Sequence, residues 1–218
     1  MKKLTILFAF ALFFTYAVNA QDSIQTVKKV NVSEHWARID VDNMGTYGWI
    51  GGALNIGNLC IAHDAVINFP FGNNVLFEAG PYFSTFNGKL DLWPALGAAM
   101  DFTNGQTNYF VPELFIYSTF PRIYFEIWNQ YYIGTSGITV GEELYYGRYI
   151  AKLSFGDFKI GPYAEMTYDI VSSQTLLMPI GLVFSYPYLS NGSFDIMLGK
   201  DLKTEAFSPR VTYIYRFK

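Results

Sequence analysis

The segment Phe158-Lys-Ile-Gly-Pro-Tyr-Ala-Glu-Met-Thr-Tyr-Asp-Ile170 decides the fold class of this chain. Its even-numbered positions carry apolar or aromatic residues, whereas Lys159, Glu165 and Asp169 occupy odd-numbered positions. Successive side chains of a β-strand point to opposite faces. The segment therefore predicts a strand that is apolar on one face and charged on the other.

The same alternation recurs along the chain, between breaks rich in Gly, Asn and Ser. Asn87-Gly88 and Asn104-Gly105 are typical hairpin turns. This punctuation predicts an all-β meander. Twelve candidate strands result, at 35–42, 46–56, 59–69, 75–86, 89–102, 108–119, 122–133, 139–155, 158–171, 175–188, 193–201 and 208–217. The first three alternate poorly, and ten strands is the alternative.

Three features favour an antiparallel up-and-down transmembrane barrel over a soluble sandwich. The strands reach about 10 residues, the length that crosses a bilayer at a tilt. Their apolar faces end in aromatic residues, such as Tyr186 and Tyr188, as interfacial girdles do. Their polar faces mix acids and bases, which suits a wet or salt-bridged lumen. Twelve is also the kind of even number found in single-chain bacterial barrels.

Five prolines inside the predicted strands argue against a closed sheet. Each removes one ladder hydrogen bond, and a closed barrel has no free edge to hold it. The repeated tripeptides Gly80-Pro81-Tyr82 and Gly161-Pro162-Tyr163 suggest a repeated bend. The five prolines are Pro81, Pro94, Pro112, Pro162 and Pro179.

The N-terminus is typical of an export signal. Two lysines precede an apolar run, and Val18-Asn19-Ala20 provides the small-residue pattern for cleavage between Ala20 and Gln21. An uncleaved anchor is disfavoured because about 15 apolar residues are short for a bilayer. We therefore divide the chain into a signal peptide (1–20), a mobile periplasmic lead-in (21–34) and a single barrel domain (35–218).

Composition excludes several classes of function. The 218 residues are 51% hydrophobic and 15% charged, with a net charge of −3, unlike a basic nucleic-acid binder. The single cysteine excludes an intramolecular disulfide framework. No metal-ligand cluster and no nucleotide-binding or hydrolase motif occurs, so we expect no metal, no cofactor and no enzyme.

The chain resembles small bacterial outer-membrane barrels. The resemblance rests on the leader, the aromatic meander and the ending Val211-Thr-Tyr-Ile-Tyr-Arg-Phe-Lys218. It implies that Tyr213, Tyr215 and Phe217 form an assembly signal, although the extra Lys218 departs from the usual aromatic end. It also implies the cell outer membrane as location, and outer-membrane lipid, periplasmic chaperones and the barrel assembly machinery as partners. The plan is similar to that of nucleoside-specific channels.

The polar faces provide the candidate site. Their charges and aromatic side chains could form a constriction that contacts small polar solutes, or could pair with one another and fill the barrel. We therefore expect a narrow passive channel or a structural envelope protein. The candidate lumen residues are Glu78, Glu113, Arg122, Tyr124, Glu126, Trp128, Arg148, Lys152, Lys159, Tyr163, Glu165, Asp169 and Arg210.

Two alternatives remain open. An outer-membrane hydrolase or acyltransferase would need His35 or His63 near a serine at a barrel rim; Ser33-Glu34-His35 and His63-Asp64 are the segments concerned. A soluble exported barrel or sandwich would use its apolar faces as an interior that carries a hydrophobic ligand.

Overall fold

The computed structural model describes residues 35–56, 59–69, 74–101, 105–188 and 190–217. The predicted signal peptide with its cleavage site, and the lead-in after it, lie outside these ranges. Within the described ranges there is no helix that is long and apolar enough to cross a membrane.

The described residues form fourteen strand segments and one short 3-10 helix at Gly137–Thr139. The segments are β1 (His35–Asp42), β2 (Gly45–Ile56), β3 (Leu59–Phe69), β4 (Asn74–Pro81), β5 (Phe83–Thr85), β6 (Leu90–Asp101), β7 (Gln106–Thr119), β8 (Ile123–Gly134), β9 (Glu143–Phe155), β10 (Phe158–Asp169), β11 (Gln174–Leu177), β12 (Pro179–Tyr188), β13 (Gly192–Asp201) and β14 (Phe207–Phe217).

The segments pair antiparallel in one closed sheet. β14 pairs with β1 along the whole of β1, from His35–Phe217 to Asp42–Arg210, and this pairing closes the barrel. β4 and β5 both pair with β6, and β11 and β12 both pair with β10, so each couple is one interrupted barrel strand. The described residues therefore build twelve barrel strands. The prediction of an all-β barrel with twelve strands is confirmed, and the alternative of ten is wrong.

The weak alternation at the start of the chain has a packing cause. A Cβ on Gly51 would lie 2.5 Å from the indole ring of Trp36 on the neighbouring strand. Gly51 thus replaces the inward side chain that a regular strand would carry, and it leaves room for an indole inside the barrel. β2 and β3 nevertheless pair continuously from Thr46–Phe69 to Ile56–Leu59.

Some predicted boundaries were wrong. The strand predicted at 139–155 begins at Glu143, because residues 137–139 form the 3-10 helix. The strand predicted at 122–133 begins at Ile123, and Arg122 lies in the turn before it. The strands predicted at 75–86 and 175–188 are each interrupted, at Tyr82 and Met178.

The in-strand prolines each interrupt pairing on one side while the other side stays paired. Pro112 pairs with Leu96 of β6, and the β7–β8 ladder skips from Phe110 to Glu113. Pro162 pairs with Leu182 of β12, and the β10–β9 ladder skips from Ile160 to Tyr163. Pro179 is the first residue of β12, where it follows an interruption.

Both Gly-Pro-Tyr tripeptides make the same kind of close approach. A Cβ on Gly80 would lie 2.0 Å from the carbonyl oxygen of Pro94, and a Cβ on Gly161 would lie 1.8 Å from that of Ala151. In each case the backbone of the adjacent strand fills the space where a side chain would start. The two tripeptides therefore share one kind of local packing, and the repeated bend expected from the sequence stays a prediction.

The two faces of the wall differ as the alternation predicted. Outward side chains such as Ile50 (58% exposed) and Leu182 (47% exposed) form an apolar outer surface. Inward side chains include the charged and aromatic residues together with buried aliphatic ones such as Val183 and Met197, and Arg148 is only 1% exposed. The charged residues lie inside the barrel because side chains alternate between the two faces of each strand and the sheet closes with the charged face inward.

Candidate functional site: the barrel lumen

A belt of ion pairs crosses the lumen. On β1, the guanidinium of Arg38 donates to both carboxylate oxygens of Asp40, with Nε–Oδ1 and Nη2–Oδ2 distances of 2.9 Å. Residues two apart on a strand share a face, so the sequence Arg-Ile-Asp directs both charges inward and leaves Ile39 outside. Bidentate geometry of this kind is the strongest form of the Arg–carboxylate pair.

Arg148 of β9 lies at the centre of this belt. Its Nη1 is 3.7 Å from Asp40 Oδ2, and its Nε is 3.6 Å from Oε1 of both Glu126 and Glu165. These distances are longer than hydrogen bonds, so three carboxylates surround one cation without direct donation from these atoms. The arrangement joins β1, β8, β9 and β10 electrostatically across the barrel.

Arg210 of β14 completes the belt. Its Nη1 donates to Glu165 Oε1, and its Nη2 donates to Asp42 Oδ2 at 2.8 Å. Asp42 lies opposite Arg210 in the ladder that closes the barrel, so this ion pair spans the seam between the first and last strands. The belt consists of Arg38, Asp40, Asp42, Glu126, Arg148, Glu165 and Arg210.

A second ion pair lies on the wall formed by β9, β12 and β13. Lys152 Nζ donates to Asp195 Oδ2 at 2.9 Å and to Ser185 Oγ at 2.8 Å. Its ammonium group also lies 4.6 Å from the ring centroid of Tyr124, and Lys159 approaches the same ring at 5.2 Å. The Tyr124 hydroxyl donates to Glu126 Oε2 at 2.7 Å, which links this pair to the belt.

An acidic group faces the belt from β4 and β7. The amide of Gln130 donates to Glu113 Oε2 at 2.7 Å and to Glu78 Oε1 at 3.2 Å. Both carboxyl groups are deeply buried, at 1% and 4% exposure. Gln130 therefore holds two acids together on one side of the lumen.

Aromatic rings support the cations of the belt. The Arg38 guanidinium lies against both Trp49 and Trp128, at 5.0 and 4.8 Å from their centroids, and that of Arg148 lies 4.6 Å from Trp128. Trp128 also packs edge-to-face on Phe115, which stacks on Trp93. Cation–π contacts in a water-poor environment contribute about 2 kcal/mol or more each.

Several inward polar atoms lack a hydrogen-bond partner among the described residues. A buried polar atom without a partner costs about 1–3 kcal/mol, so each of these atoms would gain from a hydrogen bond to water or to another polar group. The atoms are Asp64 Oδ1, Trp93 Nε1, Glu113 Oε1, Glu126 Oε1, Trp128 Nε1, Arg148 Nε and Thr212 Oγ1.

Most of the predicted lumen residues do face inward. The structure brings together the belt members among them, the Lys152–Tyr124–Lys159 group and the acidic pair described above. Tyr163 is buried inside and donates from its hydroxyl to the Ser208 carbonyl at 3.1 Å. The members that face inward are Glu78, Glu113, Tyr124, Glu126, Trp128, Arg148, Lys152, Lys159, Tyr163, Glu165 and Arg210.

Two predicted residues lie elsewhere. Arg122 is exposed in the turn before β8, because the strand begins one residue later than expected. Asp169 ends β10, where its carboxylate accepts hydrogen bonds from the backbone N–H groups of Val171 and Ser172. It stabilises a turn at the barrel end.

Sequence reasoning missed part of the belt. Arg38, Asp40 and Asp42 alternate regularly with Ile39 and Val41, and this pattern was available as a signal. It was outweighed by the irregular glycines that follow in β2. Asp64, Gln130, Asp195 and the indoles of Trp36, Trp49 and Trp93 were also not identified.

The two histidines lie on the other side of the wall. His35 and His63 are both in register with Gly52, one on either side, and all three positions face outward. This placement separates both imidazoles from the lumen. Among the described residues, no group of three His, Cys, Asp or Glu side chains is arranged to hold a metal ion.

Comparisons with known proteins identify the fold. The structure is similar to the KdgM porin, at 14% identity and a TM-score of 0.51, over 85% of this chain and 99% of that one. The KdgM porin in complex with disordered oligogalacturonate gives a TM-score of 0.53 at 14% identity, with the same coverage. The NanC porin gives 0.54 at 9% identity, over 84% of this chain and 99% of its own.

This chain has the fold of a small outer-membrane porin. Comparison of its sequence with models of protein families and with curated proteins gives no match. At identities of 9–14% the structural likeness concerns the fold alone. The expected resemblance to small outer-membrane barrels is confirmed at that level.

Proposed function

We propose that this chain is an integral outer-membrane barrel that forms a narrow channel for small polar solutes. The observation that carries the proposal is the polar lumen, with seven buried polar atoms that lack a partner among the described residues. A barrel filled only for stability would favour apolar or fully paired side chains. The outward apolar surface supports a lipid environment for the wall.

The topology supports an orientation. β1 begins and β14 ends at the same end of the barrel, where His35 pairs with Phe217. In bacterial outer-membrane barrels this terminal end faces the periplasm and carries the short turns. We propose the same orientation here, with delivery by periplasmic chaperones and the assembly machinery that reads Tyr213, Tyr215 and Phe217.

The charge of the lumen limits the class of solute. Eight of the inward side chains described above are acidic (Asp40, Asp42, Asp64, Glu78, Glu113, Glu126, Glu165 and Asp195), against five basic ones (Arg38, Arg148, Lys152, Lys159 and Arg210). An acidic pore lining attracts cations and repels anions. We therefore do not extend to this chain the oligogalacturonate named for KdgM, which is a polyanion, and we propose neutral or cationic small solutes.

Single-channel recording in a planar bilayer tests the proposal on the protein isolated from membranes. We expect discrete openings of small conductance, with a reversal potential in a salt gradient that indicates cation preference. Arg148→Gln removes the central cation of the belt and should strengthen that preference. Arg122→Gln is the matched control, because Arg122 is exposed in a turn, and it should leave both conductance and reversal potential unchanged.

A second function, a structural envelope protein, is favoured by one observation. Arg148 and Asp40 are each only 1% exposed, so side chains close the lumen at the belt. Insertion into the bilayer, shown by heat-modifiable gel migration, without any openings in wild type or Arg148→Gln would contradict the channel and support this second function. Failure to insert would contradict both.

A further inference from the structure

The outer wall of the barrel carries a recess of about 670 Å³. Its outward floor is made of small side chains, including Ala65, Ala79 and Ala98, and bulky Phe77 and Leu96 border it. Phe77 and Leu96 are 50% and 47% exposed, which shows that they stand on the outer surface. We call this feature the outer recess.

The outer recess extends from the rim where β1 begins and β14 ends (the terminal rim) toward the middle of the wall. It follows the ladder row in which His35 pairs with Gly52, Gly52 with His63, His63 with Ala79 and Ala79 with Leu96. His35 is the first residue of β1, whereas Leu96 is six residues into β6. At about 3.3 Å per residue, Leu96 therefore lies roughly 20 Å along β6 from the end of that strand at the terminal rim.

The two ends of the outer recess differ in chemistry. At the rim, the imidazole of His35 stacks on Phe217, with ring centroids 5.9 Å apart, and His63 lines the recess a short way further in. Beyond His63 the outward lining is Ala65, Phe77 and Ala98, which are apolar. Polar side chains on a lipid-facing surface are costly and mark functional contacts. The occupant must therefore be polar at the rim and apolar above it.

We propose that the outer recess binds one glycerophospholipid of the periplasmic leaflet. The phosphate lies at His35, whose imidazole N–H donates to a phosphate oxygen, and His63 donates to the glycerol ester region. One acyl chain then runs upward over Ala65, Ala79 and Ala98.

A second copy of the chain fits the outer recess less well. Two copies related by a twofold axis present the same patch to each other, so a concave patch would face a concave patch. Such a contact leaves a gap between the copies. A flexible acyl chain instead fills a concave, sloping surface along its whole length.

Native mass spectrometry of the purified protein with added palmitoyl-oleoyl phosphatidylglycerol tests the proposal. Wild type should retain one lipid through detergent washing. Ala79→Trp fills the floor of the recess and should weaken retention about tenfold or more, equivalent to about 1.4 kcal/mol. Ala151→Trp, at an exposed outward alanine of β9, is the matched control and should behave as wild type.

Two further arms keep the test decisive. The double variant His35→Ala/His63→Ala should weaken retention of the phospholipid toward that of a diacylglycerol, which lacks the phosphate, and it does not depend on a bulky substitution. Equal retention by wild type, Ala79→Trp and the double histidine variant would overturn the proposal. So would a dimer of wild type that Ala79→Trp disrupts.

The proposal rests on the membrane placement under Proposed function, but the two fail differently. Ala79 faces outward, so Ala79→Trp should keep the wild-type conductance. Retained lipid without channel openings would contradict the channel proposal and leave the proposed lipid site standing. Channel openings without specific lipid retention would contradict the lipid site and leave the channel proposal standing.

Discussion

Pro81 of β4 lies opposite Pro94 of β6, in the register that runs from Ala79–Leu96 to Phe83–Leu92. The backbone N–H of Tyr82 donates to Cys60 of β3 at 2.8 Å, so the backbone of Pro81 faces β6. The two missing donors therefore fall in one residue pair, and the ladder is intact on either side. Each proline alone would interrupt the hydrogen-bond ladder at a separate place, whereas these two interrupt it at one place.

Substitution of the glycines beside these breaks should destabilise the barrel. Gly80→Ala and Gly161→Ala would each place a Cβ about 2 Å from a backbone carbonyl oxygen, and backbone cannot move as a flexible side chain can. We expect each to lower the free energy of unfolding by about 1–3 kcal/mol, measured by urea titration in lipid vesicles. Gly48→Ala is the control, since a Cβ there meets nothing within 4 Å. An equal loss of stability in Gly48→Ala would contradict close packing as the cause.

Removal of one charge from the belt should be costly. Asp40→Asn keeps the size of the side chain but leaves the buried Arg38 and Arg148 guanidiniums short of a counter-charge. Breaking a buried ion pair by removing one partner costs about 3–5 kcal/mol. Loss of the heat-resistant, folded gel band at a lower temperature is the measurement. Lys200→Gln serves as control because the Lys200–Glu205 pair is exposed, and we expect a change within about 0.5 kcal/mol. Equal melting of the two variants would contradict a stabilising role for the belt.

The Lys152–Asp195 pair should show strong coupling in a double-mutant cycle. Lys152→Met strands a buried carboxylate, because Asp195 then loses the ammonium group 2.9 Å away. Adding Asp195→Asn removes the stranded charge, so the double variant should be more stable than Lys152→Met alone. A coupling energy of about 0.5–3 kcal/mol is expected from urea titrations of the four proteins. Strict additivity would mean that the two groups do not interact.

Trp128 should control the width of the proposed channel. Its ring lies under two guanidiniums and against Phe115, at the level of the belt. Trp128→Ala should therefore raise single-channel conductance. Tyr186→Ala is the control for lost aromatic volume, because Tyr186 is 56% exposed on the outer surface, and its conductance should match that of wild type. An unchanged conductance in Trp128→Ala would place the constriction elsewhere.

The faces of the strands could be predicted from sequence because a strand has a period of two residues. The alternation from Phe158 to Ile170 predicts which side chains face inward, and this prediction needs no other part of the chain. The same local rule assigned Glu126, Trp128, Arg148 and Lys152 to the polar face, and the structure places all four inside. Irregular positions such as Gly51 weakened the alternation, because that glycine makes room for the Trp36 indole of the neighbouring strand.

The sequence by itself determined the strands, their two faces and the closed barrel that an apolar outside and a charged inside require. Tertiary structure decided which charges meet. Asp40 contacts Arg148 across the lumen, and Pro81 is opposed to Pro94, because strand register and closure at the β14–β1 seam bring them together. Tertiary structure likewise placed both histidines on one sloping row of the outer wall. The physical reason is that alternation is encoded within a strand, whereas register is set by pairing between strands distant in sequence.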